Sequence, residues 1–166
     1  DKNGFIDDVY GWNFVSQNNQ LDDNHGHGTH IAGIIGAEAE NKKGISGISP
    51  DVSLMILKYY DPKVPNTDNL RNTVQSIQYA VKMGAHIINY SGGGTEFSQD
   101  EHDAVLAAER KGILFVAAAG NEKSNSDVNH YYPADYKLNN IISVTAIDPS
   151  TQVLSSSNYG TETVDI

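Results

Sequence analysis

His27 stands in the run His25-Gly26-His27-Gly28-Thr29-His30-Ile31-Ala32-Gly33, where small residues open a helix behind the polar, turn-prone Asp22-Asp23-Asn24. An imidazole held at the mouth of a cleft titrates near neutrality and can pass a proton in either direction. A second run, Phe115-Val116-Ala117-Ala118-Ala119-Gly120-Asn121-Glu122, reads as a buried strand ending in a turn that exposes a carboxamide. Alone, Asn121 is a turn residue. Behind an all-small strand it becomes a candidate donor to an oxyanion, because a side-chain N–H aimed at developing charge favours a tetrahedral intermediate over the ground-state carbonyl. A third run, Ser91-Gly92-Gly93-Gly94, is either a flexible loop or a bare backbone edge with which an extended peptide pairs. It lacks the Gly-x-Gly-x-x-Gly spacing of a dinucleotide loop, and no Gly-Lys-Ser/Thr follows as in a phosphate loop. His25, His27 and His30 leave a zinc site open as an alternative, although no carboxylate stands at a recognised ligand spacing.

These groups need a scaffold. Residues 52–57 form a short apolar run between Pro50-Asp51 and Asp61-Pro62. Leu70, Val74, Ile77 and Val81 then recur at three- and four-residue steps, predicting an amphipathic helix closed by Gly84. Residues 85–89 return to strand character, and Ser98-x-x-Glu101 is a capping box for a second helix that carries Ala104, Val105, Ala107 and Ala108 and ends at Gly112. Residues 113–118 and 141–146 supply two more strands. Such alternation predicts an α/β fold, a parallel β-sheet flanked by helices on both faces. Ligands in such sheets bind at the carboxyl ends of strands, which is where Ser91-Gly92-Gly93 and Gly120-Asn121 fall.

A chain of 166 residues, 39% hydrophobic, holds one core rather than two domains. Its net charge of −10 argues against nucleic acid as a partner. With no cysteine it has neither disulfides nor thiolate chemistry. No apolar run approaches the roughly 18 residues of a membrane helix, so no membrane partner is expected. The acidic run Asp1-x-Asn3-Gly4-x-x-Asp7-Asp8 crowds oxygen ligands around a glycine, loosely as in a calcium loop but without the closing glutamate; a solvated acidic loop is the alternative.

The chain resembles the subtilisin-like serine proteases, the subtilase family. His27-Gly28-Thr29-His30-Ile31-Ala32-Gly33 is similar to that family's histidine motif, and Ala117-Ala118-Ala119-Gly120-Asn121-Glu122 to its oxyanion segment. Ile87-Ile88-Asn89-Tyr90-Ser91-Gly92-Gly93 resembles its substrate edge, with Tyr90 where methionine is more usual. Tyr132-Pro133-Ala134 and residues 155–160 resemble strands leading toward its serine. The resemblance implies a peptide or protein substrate, His27 as catalytic base, Asn121 as oxyanion donor, and Ser91, Gly92, Gly93, Ala119 and Gly120 against the substrate. Glu122 and Tyr131 would lie near the pocket for the side chain before the cut bond, where Glu122 would favour a basic one. Asn41-Lys42-Lys43-Gly44-Ile45 resembles the family's calcium loop, so structural calcium is expected at Asn41 and at Asp1, Asn3 and Asp7. Secretion is implied as well.

Two motifs of a Ser-His-Asp triad are missing from these residues. No Asp-Ser/Thr-Gly precedes His27, Asp7-Asp8 being too near it, and Gly-Thr-Ser-x-Ala is nowhere in the chain. Residues 1–166 thus read as the central part of a peptidase domain, incomplete at both ends, lacking the aspartate strand and the serine helix. Its expected partners include the remaining N- and C-terminal parts of the same protease, and by itself it is expected to be inactive. Two rivals stand: a scaffold that kept the fold and lost catalysis, and a zinc hydrolase built on the three histidines.

Overall fold

The computed structural model describes residues 3–63 and 66–166, with Asn66 and Thr67 described by their backbone alone. The chain divides into two compact units, Asp1–Asn72 and Thr73–Ile166.

In the first unit, β1 (Gly11–Asn13) pairs in parallel with β2 (Ile56–Lys58), Trp12 opposite Leu57. Nothing in the sequence reading anticipated β1. It is held by burial of Trp12, Asn13 and Phe14 and by the edge of Phe5 against Trp12, ring centroids 5.1 Å apart. The Asn13 carboxamide closes the chain behind it, accepting from Val15 and Ser16 N–H at 3.0 Å and donating to Gln20 O at 2.8 Å. The predicted strand over 52–57 shortens to β2 because Val52 is spent in a turn, its N–H donating to Ser49 O at 3.1 Å.

Helix α1 (His27–Gly36) starts at the histidine, as expected, with none of its residues buried. Its first turn is organised by Asp23. One carboxylate oxygen accepts from the N–H of His25 (2.9 Å) and Gly26 (2.8 Å), the other from Thr29 N–H (2.9 Å) and Thr29 Oγ1 (2.7 Å). Gly26, the residue before the helix, is left-handed at φ 90° and offers no side chain to cap it, so Asp23 satisfies amides that the helix cannot. These bonds, led by the Thr29 hydroxyl, hold the Asp23 carboxyl well below the usual carboxylate range.

The second unit is built on a parallel sheet in the order β3 (Ile87–Tyr90), β4 (Leu114–Ala118), β5 (Ile141–Val144). Its core joins Phe115 and Ala117 of β4 to Ala104 and Val105 of α3 (Gln99–Arg110), Ile77 of α2 (Asn66–Lys82), Ala134 and Tyr136. Small residues on α3 let the helix lie close to the strand, and burying Phe115 completely contributes about 1.5–3 kcal/mol. Alternation puts Ile87 and its register partner Leu114 on the opposite face, where they are 59% and 43% exposed. Both helices end as the glycines foretold. Gly84 and Ala85 N–H donate to Val81 and Ala80 O, and Gly112 and Ile113 N–H to Glu109 and Ala108 O, the paired bonds of a Schellman stop. Of the predicted stripe on α2, Val74, Ile77 and Val81 join the core, whereas Leu70 is 40% exposed.

The predicted capping box is half realised. Ser98 Oγ accepts from Glu101 N–H at 3.3 Å, but the glutamate does not return to the Ser98 amide. The Tyr136 hydroxyl stands between them, accepting from Ser98 N–H at 3.3 Å and 2.9 Å from Glu101 Oε2. Glu101 is 4% exposed, and burial raises its pKa above the usual 4.5 while the tyrosine hydroxyl pulls it back.

Three variants test these buried and capping carboxylates. A raised folded-state pKa means that the Glu101 contribution is complete below pH 4.5 and is lost as pH rises through the folded value. Glu101→Gln keeps an acceptor for Tyr136 and is expected to flatten that loss, with urea midpoints at pH 7 equal to or above those of the parent. Tyr136→Phe strands a buried carboxylate and should cost about 1–3 kcal/mol; an unchanged midpoint would contradict the pairing. For Asp23 the sign reverses, because its lowered pKa gives a contribution present above pH 3.8 and lost as pH falls further. Asp23→Ala should speed hydrogen exchange at the Gly26 and Thr29 amides about fivefold, the effect of one lost cap.

Candidate active site

His27 belongs to the first unit, on the opening turn of α1 that Asp23 fixes, and its side chain is exposed. Its ring meets that of His25 edge-on with centroids 6.1 Å apart, and His25 lies edge-on to Tyr60 at 6.5 Å. Among the described residues no three His, Asp or Glu side chains converge on a position a metal could occupy. His25, His27 and His30 therefore do not form the zinc cage held open from sequence.

Asn121 and the glycine-rich edge belong to the second unit. Tyr90 of β3 pairs with Ala117 of β4, so Ser91-Gly92-Gly93 and Ala119-Gly120-Asn121 leave the sheet side by side at its carboxyl end. Asn121 is exposed while Ala119 and Gly120 are buried. The Tyr131 ring lies against both segments. A Cβ on Gly93 would sit 2.5 Å from Tyr131 Cε1 and from Tyr132 O, and one on Gly120 would sit 3.0 Å from Tyr131 Cδ1. Gly120 also has φ +104°, which only glycine adopts without strain. Tyr131 is fixed in turn by its N–H donating to the buried Asp135 Oδ2 at 2.7 Å. Burial pushes the Asp135 pKa up, while the Tyr131 amide and His130 oppose the rise.

Three expectations change in detail. The glycine edge is not wholly bare, because Gly94 exchanges both backbone hydrogen bonds with Tyr132, at 2.9 and 2.7 Å; that bridge stops short of Ser91, Gly92 and Gly93. Tyr132-Pro133-Ala134 and residues 155–160 are not strands but bridges and turns, with the Tyr132–Pro133 peptide cis. The Glu122 carboxylate, expected near a basic substrate side chain, turns back and accepts from Asn158 Nδ2 at 2.8 Å.

The calcium expectation finds no gathered ligand set among the described residues. Asp1 lies outside them, and Asp7 stands at φ 58° on its turn. Asn3 and Asn41 spend their amide oxygens on Phe5 and Lys43 N–H, at 2.8 and 2.9 Å, and their nitrogens on Asp8 and Glu38. With Asp1 outside the described residues, the set Asp1, Asn3 and Asp7 is not described as a whole.

Sequence reasoning missed Asp23, Asn158 and Asp127. Asn158 lies 1% exposed beneath the Asn121 turn. Asp127 pins residues 161–163 by accepting from the N–H groups of Thr161, Glu162 and Thr163 and from both threonine hydroxyls. The Thr161 amide leads in holding the Asp127 carboxyl well below its usual range. Asp23 left a trace as part of the polar run before His27, and Asn158 only as one of residues 155–160.

The subtilase family model of peptidase family S8 matches residues 1–166. The minor extracellular protease Epr of Bacillus subtilis is 38% identical over 152 residues, 92% of this chain and 22% of that protein. The thermostable alkaline protease of Halalkalibacterium halodurans is 39% identical over 152 residues, 92% of this chain and 40% of that protein. Among solved structures, a lanthipeptide protease superposes with a TM-score of 0.72 at 26% identity, over 90% of this chain and 45% of that one. The chain thus spans less than half the length of each of these relatives. With parallel sheets flanked by helices and a family model matched from end to end, the chain belongs to the subtilase family.

Proposed function

We propose that these residues carry the base and the oxyanion donor of a serine endopeptidase whose aspartate and serine motifs lie outside them. His27 takes the proton of the serine hydroxyl during attack and returns it to the leaving amine. The Asn121 carboxamide donates to the oxyanion, and Ser91, Gly92 and Gly93 pair with the substrate backbone as an added strand beside Ala119 and Gly120. The observation that carries the reading is the exposed carboxamide of Asn121 at the same sheet end as the glycine edge, its turn packed around Gly120. An exposed His27 on a fixed helix turn is in keeping with it. Export is proposed on the likeness to the Bacillus relative, whose name calls that protein extracellular. The substrate is a peptide or protein, and residues 1–166 alone are proposed to be inactive, because they contain neither triad motif besides the histidine.

The whole protein is expected to cleave a chromogenic peptide and to lose that activity to a serine-directed sulfonyl fluoride. Asn121→Ala should lower kcat by about 10² to 10³ with KM little changed, a magnitude set by oxyanion donors in subtilisins generally and not by this geometry. His27→Ala should lower it by about 10⁶, on the same footing. Full activity in both variants would contradict these roles, absence of turnover by the whole protein would leave the scaffold reading, and inhibitor-sensitive turnover by residues 1–166 alone would contradict the division of the site.

A further inference from the structure

The turn that carries Asn121 is shaped from beneath by one buried side chain. Asn158 Nδ2 donates to Ala119 O and to Glu122 Oε2, both at 2.8 Å. Its Oδ1 accepts from Glu122 N–H at 2.9 Å and Ser124 N–H at 3.1 Å. Both donors and both acceptor positions of the carboxamide are used, and the partners fix which end is oxygen: two N–H groups face one atom, a carbonyl and a carboxylate the other. The Asn158 backbone adds a bond from its N–H to Gly120 O at 2.9 Å, and its carbonyl is anchored by the Thr145 hydroxyl at 2.6 Å. A Cβ on Gly120 would collide with Asn158 Nδ2 and Glu122 Oε2, so the turn is closed tightly over this amide. The residues bonded in this way are 119, 120, 122 and 124, which leaves Asn121 at the exposed crest of a turn held on both sides.

We propose that Asn158 is the positioning residue of the oxyanion turn, and that Glu122 serves as its second anchor rather than as a contact for a basic substrate side chain. The role rests on Asn121 being the oxyanion donor. Asn158 touches neither substrate nor reacting atoms. It sets the height and direction of the Asn121 carboxamide, and misplacing such a donor by about 1 Å costs on the order of a hundredfold in rate.

A double-mutant cycle in the whole protease separates this role from a merely structural one. Asn158→Ala is expected to lower kcat about ten- to a hundredfold with KM within about twofold, and to cause no further loss in an Asn121→Ala background. Because Asn158→Ala removes a buried network, Glu122→Ala gives a second route that deletes one exposed anchor. It should lower kcat about three- to tenfold, again only while Asn121 is present. An equal fractional loss in both backgrounds, a rise in KM in place of a fall in kcat, or no loss from either variant overturns the inference. If Asn121→Ala itself leaves kcat unchanged, the reading of Asn121 falls and takes this one with it; loss at Asn121 with additivity at Asn158 removes the present inference alone.

Discussion

Parallel pairing of β3 with β4 is the constraint on which the candidate site rests. Because Tyr90 lies opposite Ala117, the chain must leave both strands at the same end, and the residues that follow, Ser91-Gly92-Gly93 and Ala119-Gly120-Asn121, become neighbours. A shift of two residues in register would carry the carboxamide some 7 Å along the strand, away from the edge a substrate would use. The register is fixed by what lies beneath it. Phe115 and Ala117 are buried against Ala104 and Val105 of α3, and slipping the strand by one would turn Phe115 out to solvent.

In both units the turns are held by polar side chains that each satisfy several backbone groups at once. Asn158 serves residues 119–124, Asp127 serves 161–163, Asp23 serves the start of α1, and Asn13 serves the turn after β1. The carboxylates and amides replace water as partners of amides that no helix or sheet can reach. Glu101 differs, because it is buried and satisfied by a tyrosine hydroxyl, and its pKa moves up where those of Asp23 and Asp127 move down. Accepting several N–H groups favours the ionised form, and burial disfavours it.

The helices and the three strands of the second unit were legible because their signals are local. Ile77 and Val81 repeat at helical spacing, Gly84 and Gly112 stand two residues past the last helical residue, and Ser98 precedes α3. β1 was not, since three residues opening on a glycine carry no periodicity. The site divided along the same line. His27, Gly93, Gly120 and Asn121 sit in runs whose composition suggests their chemistry, whereas the use of Asn158 depends on residues 34 to 39 positions earlier. The tie between Glu122 and Asn158 was hidden for the same reason, since the exposed position of Glu122 is plain in the sequence and its partner is not.

The central claim is that an imidazole and a carboxamide from different segments serve one tetrahedral intermediate. A crystal structure of the whole protease with a peptide boronate bound to its serine tests this most directly. The account predicts the Asn121 Nδ2 about 2.7–3.1 Å from the boronate oxygen that stands for the oxyanion, with the His27 ring in hydrogen-bond reach of the serine oxygen. A boronate oxygen held by other groups, with Asn121 turned away from it or His27 remote from the serine, would contradict it.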